Sequence, residues 1–404
     1  MGMGSGEATE LAYSDIPFMH WGIITKHNFR EELARYVPRK RWDPLSSSEI
    51  VLYDEATGQA IRIGKRRGHF SYISPVRGLR PQGVGARPRD VFREIAEGAD
   101  YAIFVTLDDA PSDSAFSVKP VMMDVRDYKA VTIINRFPAM VRHIDDEVEQ
   151  RVRELVEDEF TRIAFGINLV TFPINYAETL SDVAYPDLVA LLKSMNTAIR
   201  LSVEESMKRG VEIVPVYPFF NIGPMAGGSQ PRLHSQVYID LNHDGHGVFM
   251  ENVLLAFSEH SKRGYCYLCT TRHDGRIVYE NTTWVVWATL SPRRNFHLRL
   301  ASKRHVQRVT DLDAAEVMGL ADALIVISKA LDAVGVDRNR NVLIYSNPYG
   351  YKSEFHLFID VIPFERVGGI EILDTCRVAR VAPEDVAGKL REVIKEKRIT
   401  SVEE

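Results

Sequence analysis

Apolar and polar residues alternate most clearly in residues 237–241, VYIDL. A period of two predicts a β-strand that is buried on one face. His234 stands just before this strand, and a loop with three glycines and Ser229 precedes the histidine. Glycines let a backbone approach a ligand closely, and loop amides can bind an anion. An imidazole beside such a loop suits attack on phosphorus, although a single histidine in this setting is more often a hydrogen-bonded structural residue.

Other stretches carry hydrophobic residues at helical spacing or in short apolar runs. The predicted helices cover residues 145–163, 185–209, 311–334 and 383–397, and Asp311 is the expected cap of the third. The main predicted strands cover residues 101–106, 131–134, 167–173, 211–220, 296–301, 342–345 and 354–363, with two more within 276–290.

The order of these elements repeats. A strand, a helix, a strand, a loop and a histidine-bearing strand occur once in each half of the chain. The repeat predicts an α+β fold made of two similar units packed side by side. We expect an N-terminal extension at residues 1–60, a first half at residues 61–250 and a second half at residues 251–404.

The composition excludes several classes of protein. The 404-residue chain is 45% hydrophobic, which is enough for one large core or two domains, and its net charge is −5. That charge gives no general attraction to nucleic acids or acidic membranes, so an anion site must be local. No apolar run reaches the length of a membrane span, and the N-terminus lacks a signal pattern, so we expect a cytoplasmic protein.

Two cysteines and two histidines have the chemistry of a zinc site. Cys266 and Cys269 are spaced C-x-x-C, and His305 and His356 follow in the second half. Two thiolates and two imidazoles suit tetrahedral zinc, and four protein ligands would close the shell around a structural ion. A redox dithiol is less consistent with the sequence, because no thioredoxin-like helix start follows Cys266. Unrelated cysteines and histidines are the remaining alternative.

The two halves differ at matching positions of their histidine-bearing strands. Arg232 occupies the position that matches His356, whereas Phe358 occupies the position that matches His234. The first half also has no cysteine pair at the corresponding place. We therefore predict a nucleophile without zinc in the first half and zinc without a nucleophile in the second.

The residues of the first half resemble the galactose-1-phosphate uridylyltransferase family, a two-half branch of the histidine-triad superfamily. Residues 232–236, RLHSQ, match its His-Pro-His-x-Gln motif at the second histidine and the glutamine, but not at the first histidine. Arg77, Arg80 and Pro81 match its Arg-x-x-Arg-Pro motif. Residues 135–139, NRFPA, match its Asn-x-Phe-Pro-Ala motif.

The resemblance extends into the second half. Residues 355–363 match the pattern Phe-His-x-His-Ile-Glu-x-x-Pro, with Phe358 and Asp360 substituted, and Gly369–Leu373 match Gly-x-Glu-x-Leu. The resemblance implies an antiparallel sheet with packed helices in each half, a structural zinc ion in the second half, and a homodimer.

The resemblance also implies a ping-pong reaction. His234 attacks the α-phosphorus of UDP-hexose, a hexose-1-phosphate leaves, and the nucleotidyl-histidine then passes UMP to a second hexose-1-phosphate. Gln236 and Ser229 assist His234 in catalysis. The implied substrate-binding residues are Arg77, Arg80, Asn135, Phe137, Asn221, Gly227, Gly228, Arg232 and Glu371.

Two other functions fit the same residues. A phosphorylase of ADP-glucose or of dinucleoside polyphosphates would use His234 in the same way but pass the nucleotide to inorganic phosphate. The Ser-Gln-Pro that precedes Arg232 resembles the dinucleoside polyphosphate enzymes. A non-catalytic nucleotide-binding protein is the alternative from another class. The expected ligands are a nucleoside diphosphate sugar and a sugar-1-phosphate, with no nucleic-acid or membrane partner.

Overall fold

A computed structural model describes residues 15–19, 21–53, 56–57, 60–79, 91–97, 106–107, 110–111, 125, 128–374 and 376–402. The strands are β1 (Ile23–Ile24), β2 (Arg39–Tyr53), β3 (Ala60–Ile73), β4 (Thr106–Leu107), β5 (Ala110–Pro111), β6 (Ala130–Ile134), β7 (His143–Ile144), β8 (Thr161–Ile163), β9 (Gly166–Pro173), β10 (Val216–Ile222), β11 (Ser235–Asp240), β12 (Gly245–Gly247), β13 (Ile277–Glu280), β14 (Trp284–Ala288), β15 (Leu298–Ser302), β16 (Arg340–Tyr345) and β17 (Phe358–Pro363). The helices are α1 (Val91–Ala96), α2 (Asp146–Val156), α3 (Tyr185–Lys208), α4 (Val248–Lys262), α5 (Tyr267–Thr270), α6 (Ala314–Ala333), α7 (Gly369–Asp374) and α8 (Pro383–Glu396).

Nine of the described strands form one central sheet, in the order β13-β14-β15-β17-β16-β10-β11-β9-β6. Neighbouring strands of this sheet are antiparallel. The fold is therefore α+β with an antiparallel sheet, as predicted. The two halves do not carry separate sheets, because β10 of the first half pairs with β16 of the second half.

The repeat is visible in the strand register. Val216 of β10 lies opposite Ile239 of β11, and Arg340 of β16 lies opposite Pro363 of β17. Counting seven residues back from Ile239 reaches Arg232, and counting seven back from Pro363 reaches His356. The observed pairing thus matches Arg232 with His356 and His234 with Phe358, which is the correspondence predicted from the sequence.

The main core lies on one face of this sheet. Alternate residues of β10 are buried and pack with residues of α3 and α6 in one apolar cluster, whereas the intervening residues are half-buried. Tyr217, Phe219 and Asn221 therefore belong to the opposite face, which we call the open face. His234, Gln236 and Tyr238 share that face, because alternate positions of β11 point the same way.

Two predicted helix boundaries were wrong. The helix expected at residues 145–163 ends at Val156, since Asp158 accepts a hydrogen bond from the amide of Phe160 and turns the chain into β8. Asp311 lies in a short 3₁₀ helix. The cap of α6 is Asp313, whose carboxylate accepts a hydrogen bond from the amide of Glu316 at 2.8 Å.

Part of the N-terminal extension packs against the first half. Strand β2 pairs with β3 across the expected boundary at residue 60. Lys40 of β2 is fully buried, and its ammonium lies 2.9 Å from Asp240 and 2.5 Å from Asp244. Removing one partner of a buried ion pair leaves an uncompensated charge, which costs about 3–5 kcal/mol. Among the described residues, no helix is both long and apolar enough to cross a membrane.

Candidate active site and metal centre

His234 directly precedes β11 and is 5% exposed. Its Nδ1 lies 2.8 Å from the backbone oxygen of Arg232. A carbonyl oxygen only accepts hydrogen bonds, so Nδ1 carries the proton and the ring lone pair is on Nε2. This tautomer makes Nε2 the atom that can attack an electrophile.

An aromatic helix residue covers the imidazole. The ring of Phe92, on α1, lies 5.2 Å from the ring of His234 and stacks on Phe172 at 4.5 Å. Phe92 belongs to a small apolar cluster with Ile95 and residues of β6 and β9. The sequence-based prediction missed α1. The apolar spacing of Phe92, Ile95 and Ala96 was the available signal.

The glycine loop before His234 is tightly folded. Gly223 has a φ of 80°, and a Cβ on Gly228 would lie 2.7 Å from the oxygen of Asn221. The amides of Gly227 and Gly228 donate to the oxygens of Pro224 and Gly223, at 3.2 and 2.9 Å. The phosphate contacts expected from these two amides are therefore not available in this geometry, since both amides already close the loop. Ser229 is exposed in the same loop.

The loop is also tied to the second half. The side-chain amide of Asn341 donates to the side-chain oxygen of Asn221 at 2.8 Å and to the oxygen of Ala226 at 2.9 Å. Asn221 and Asn341 are paired residues of β10 and β16. The expected substrate residue Asn221 therefore lies beside the loop that leads to His234, and its oxygen holds the two halves together.

The side chain of Arg232, an expected substrate residue, is directed into the protein. Its side chain is 4% exposed, and Nη1 donates to the oxygens of Pro173 and Ile174 at 3.0 and 2.8 Å. Its guanidinium also lies over the ring of Tyr176, 5.2 Å from the centroid. These contacts direct the guanidinium into the end of β9 and hold the turn whose carbonyl binds His234.

Of the two arginines that are expected to bind phosphate, Arg77 lies against β11. Its Nη1 donates to the hydroxyl of Tyr238 at 2.6 Å. Tyr238 follows Gln236 on the same face of β11, and Gln236 is half-buried two residues beyond His234. Arg80 lies outside the described residues.

The expected nucleoside residues follow β6. The side-chain oxygen of Asn135 accepts a hydrogen bond from the amide of Phe137 at 2.9 Å and so forms a local turn. The amide of Asn135 bonds the oxygen of Asn168, which pairs with Tyr238. These residues therefore lie in the row of Tyr238, four positions along β11 from His234 and roughly 13 Å away along the strand.

The four predicted metal ligands converge in the second half. The ligand atoms of Cys266, Cys269, His305 and His356 all lie within 4.8 Å of one another. Nδ1 of His356 lies 3.5 Å from Sγ of Cys266, and Nδ1 of His305 lies 3.4 Å from Sγ of Cys269. The two cysteine sulfurs and the two histidine nitrogens therefore surround a common space, and they are donor types that zinc prefers.

The protonation of His356 suits a metal ligand. Its Nε2 donates to the backbone oxygen of Ser302 at 3.1 Å, which leaves the lone pair on the Nδ1 that faces the cysteines. Burial, with a smaller contribution from His305, lowers the pKa of His356 to about 4, so the imidazole is neutral near pH 7. The residues present therefore fit a zinc ion.

Comparison with known proteins finds a family match within the second half. Residues 270–367 match the family model of the HIT domain. Over this stretch the chain is therefore similar to the histidine-triad superfamily. It is 23% identical over 281 residues to ADP-glucose phosphorylase of Arabidopsis thaliana, which is 66% of this chain and 75% of the relative.

Two solved structures share the fold of this chain. An ADP-glucose phosphorylase from Arabidopsis thaliana with bound ADP-glucose has a TM-score of 0.59 at 20% identity, and the match covers 86% of this chain and 99% of that one. A uridylyltransferase mutant has a TM-score of 0.58 at 21% identity, covering 67% and 90% of the two chains. The predicted fold class is thus confirmed.

Glu371, the expected substrate residue of the second histidine-triad half, lies in a group of ion pairs. It accepts hydrogen bonds from Arg377 and from the amide of Gly368, and it lies 3.3 Å from Arg294. The hydrogen bond from Arg377 is the main cause that lowers the pKa of Glu371. All of these contacts are within the second half, so the structure does not bring Glu371 into contact with His234.

Proposed function

We propose that this histidine-triad protein transfers a nucleotidyl group through a covalent intermediate on His234. The Nε2 lone pair forms a bond to the α-phosphorus of a nucleoside diphosphate sugar, and the bond to the bridging oxygen breaks, so that a sugar-1-phosphate leaves. A phosphate oxygen of the acceptor then displaces the imidazole. The observation that supports this most directly is the hydrogen bond from Nδ1 to the Arg232 carbonyl, which selects the nucleophilic tautomer.

The open face of the sheet supplies the other proposed groups. Gln236 shares the face of His234, and Ser229 precedes it in an exposed loop, so both are candidates to bind the non-bridging oxygens. Arg77 is the proposed cation for the diphosphate, since its guanidinium already lies against this face. We propose UDP-hexose and hexose-1-phosphate as the substrates.

A specific observation favours a second candidate, the phosphorolysis of ADP-glucose. The relative that is 23% identical over 281 residues is named ADP-glucose phosphorylase, and the same plant's enzyme of that name was solved with ADP-glucose bound. Both candidates share the first step, in which His234 acquires the nucleotide. They differ in the base and in whether the acceptor is a sugar-1-phosphate or inorganic phosphate.

We also propose that zinc binds the Cys266, Cys269, His305 and His356 cluster. A bound ion would cross-link α5, the segment after β15 and the start of β17. It would have a structural function, because four protein ligands complete a tetrahedral shell.

Intact-protein mass spectrometry tests the shared step. The wild-type protein is incubated with UDP-glucose or with ADP-glucose, without an acceptor, and we expect the mass to increase by one UMP or one AMP. His234→Ala should abolish the adduct, whereas His143→Ala, which removes an exposed histidine of the first half, should leave it unchanged. An adduct that persists in His234→Ala would refute the assignment of the nucleophile.

The same adduct then distinguishes the two candidates. The isolated intermediate is mixed with galactose-1-phosphate, glucose-1-phosphate or inorganic phosphate, and the released nucleotide is identified. Release as UDP-hexose supports the uridylyltransferase reaction, whereas release of ADP by inorganic phosphate supports the phosphorylase.

A further inference from the structure

An aromatic cavity of about 260 Å³ lies on the open face of the sheet, in contact with both halves. Its lining is almost entirely apolar. Its walls include the side chains of Tyr217, Phe219, Phe249, Leu343 and Tyr345, together with the guanidinium of Arg293. His234 is not part of the lining, so the cavity is separate from the proposed nucleophile.

The cavity lies where the two central strands part. The pairing of β10 with β16 runs from Ile222 opposite Arg340 to Phe219 opposite Leu343 and stops there. The next residue of β10 is Pro218, which lines the cavity and has no N–H with which to extend the ladder. Beyond this point the pairing is interrupted until Val214 bridges Tyr349, and the cavity lies at this interruption.

The strand register shows which region of the first half corresponds to the cavity. Phe219 pairs with Leu343, its own counterpart in the repeat, so a local two-fold axis passes between them. This axis relates Asn221 to Tyr345. It therefore relates the region beside His234 to the cavity, where Tyr345 pairs with Phe358.

This second region carries aromatic side chains at positions where the first half has polar ones. Phe358 stands where the first half has its histidine, and its ring stacks on Tyr345 at 4.5 Å. No nucleophilic side chain replaces His234 at this position. The second region therefore has a cavity but no nucleophile at the matching position.

A cation stands at the cavity. The guanidinium of Arg293 lies over the ring of Phe249 at 3.7 Å and donates to the hydroxyl of Tyr345 at 3.1 Å. Within the described part of the chain, no carboxylate forms an ion pair with Arg293. A half-buried guanidinium on aromatic rings is well suited to bind a phosphate through two parallel hydrogen bonds.

We propose that this cavity is a second, non-catalytic nucleotide site. The base would stack against the aromatic walls, and the phosphate would bind Arg293. The choice of a nucleotide over other aromatic anions rests on the proposed function, because the two-fold counterpart of the cavity is the region beside the proposed nucleophile.

Equilibrium dialysis of the full chain against UMP, and separately against AMP, tests this assignment. Neither probe has a leaving group, so only binding is measured. We expect two equivalents of at least one of them per chain in the wild type. Arg293→Gln should weaken one of the two sites by about tenfold or more, and Leu343→Trp, which fills the cavity, should remove that site.

Three controls make the result specific. Arg366→Gln removes an exposed positive charge outside the cavity lining and should leave both sites unchanged. Uridine lacks the phosphate and ribose 5-phosphate lacks the base, so both should bind the second site at least tenfold more weakly than UMP. A single equivalent that neither substitution weakens would overturn the proposal, as would a second equivalent that neither substitution changes or equal binding of ribose 5-phosphate.

The outcome is separable from the proposed function. If His234 acquires the nucleotidyl adduct but only one nucleotide binds per chain and neither substitution weakens it, the second site is refuted and the catalytic proposal is not. If no adduct forms but Arg293→Gln weakens a bound nucleotide, the catalytic proposal fails while the cavity is confirmed as a nucleotide site.

Discussion

The two halves of the protein share their strand register but differ in the chemistry placed on it. At one pair of matched positions the first half has His234 and the second half has Phe358; at another pair the first half has Arg232 and the second half has His356. The first half thus carries the proposed nucleophile, and the second half carries the proposed metal ligands. A repeated backbone can therefore keep the same strand register while its two copies present different functional side chains.

The correspondence between the halves is clearest at two backbone carbonyls that occupy matching positions. Pro173 ends β9 and accepts a hydrogen bond from Arg232, whereas Ser302 ends β15 and accepts one from His356. Three residues beyond these carbonyls stand Tyr176 and His305, respectively. Arg232 with the ring of Tyr176 therefore occupies the place that two metal ligands occupy in the second half. We infer that an arginine–aromatic contact performs in the first half the bracing that zinc would perform in the second.

The largest expected effect follows from removing the nucleophile from one half and placing it in the other. His234→Gly should lower kcat by roughly a thousandfold or more, because the covalent route is lost. Phe358→His should not restore turnover, since Tyr345 stands there in place of Asn221. Steady-state kinetics of the single and double variants measure both effects. Turnover above one per cent of wild type in His234→Gly would contradict the assignment.

The next effect concerns the metal ligands of the second half. Cys266→Ser should reduce zinc from about one per chain to well below one, and it should lower stability by several kcal/mol, because metal binding is coupled to folding. Elemental analysis and thermal unfolding of the same samples measure this. Cys376→Ser is the matched control, since it removes an exposed cysteine outside the cluster. A wild-type protein purified without a chelator and found to be free of zinc would refute the proposed metal.

A third difference between the halves lies at Asp360, which occupies the position that matches Gln236. Burial alone would raise the pKa of Asp360, but His297 and Arg299 outweigh it and hold that pKa well below its ordinary value. Arg299 donates to this carboxylate at 2.6 and 2.9 Å. Asp360→Asn should cost about 3–5 kcal/mol, because it leaves the largely buried Arg299 uncompensated.

The same carboxylate gives the second half a pH dependence with a definite sign. A group whose pKa is lower in the folded than in the unfolded state stabilises the protein above its unfolded pKa, and this stabilisation is lost as the pH falls. The free energy of unfolding of the wild type should therefore decrease below about pH 5 more steeply than that of Asp360→Asn. Urea unfolding at a series of pH values measures this, and parallel curves would contradict it.

Local sequence patterns were enough to predict many of the structural features that the two halves show. The alternation in residues 237–241, the helical spacing within residues 185–209, and the four soft metal ligands are each visible in the sequence, because they depend on residue types at fixed spacing. The structure confirms the strand and most of the helix and brings the four ligands together. The matching of Arg232 with His356 could also be found, since both precede strands of the same register.

Other features depend on contacts between distant segments. The pairing of β10 with β16 joins the halves in one sheet, and nothing in either strand alone specifies that partner. Phe92 reaches His234 from a helix about 140 residues earlier in the chain, so its role has no local signal. The amides of Gly227 and Gly228 were expected to face a phosphate, but whether a loop amide bonds within its own turn depends on backbone angles that residue type does not determine.

The smallest expected effect tests whether Arg232 positions the nucleophile. Arg232→Lys keeps the charge but removes the paired donors to Pro173 and Ile174, so His234 should be held less firmly. We expect kcat to fall by about ten- to a hundredfold with little change in KM, because we propose that this buried guanidinium acts on His234 and not on the substrate. Guanidinium ion added to Arg232→Ala should restore part of kcat, and Arg200→Ala, on the exposed side of α3, should change nothing. A rise in KM at constant kcat would instead identify Arg232 as a substrate ligand and remove the parallel with the metal site.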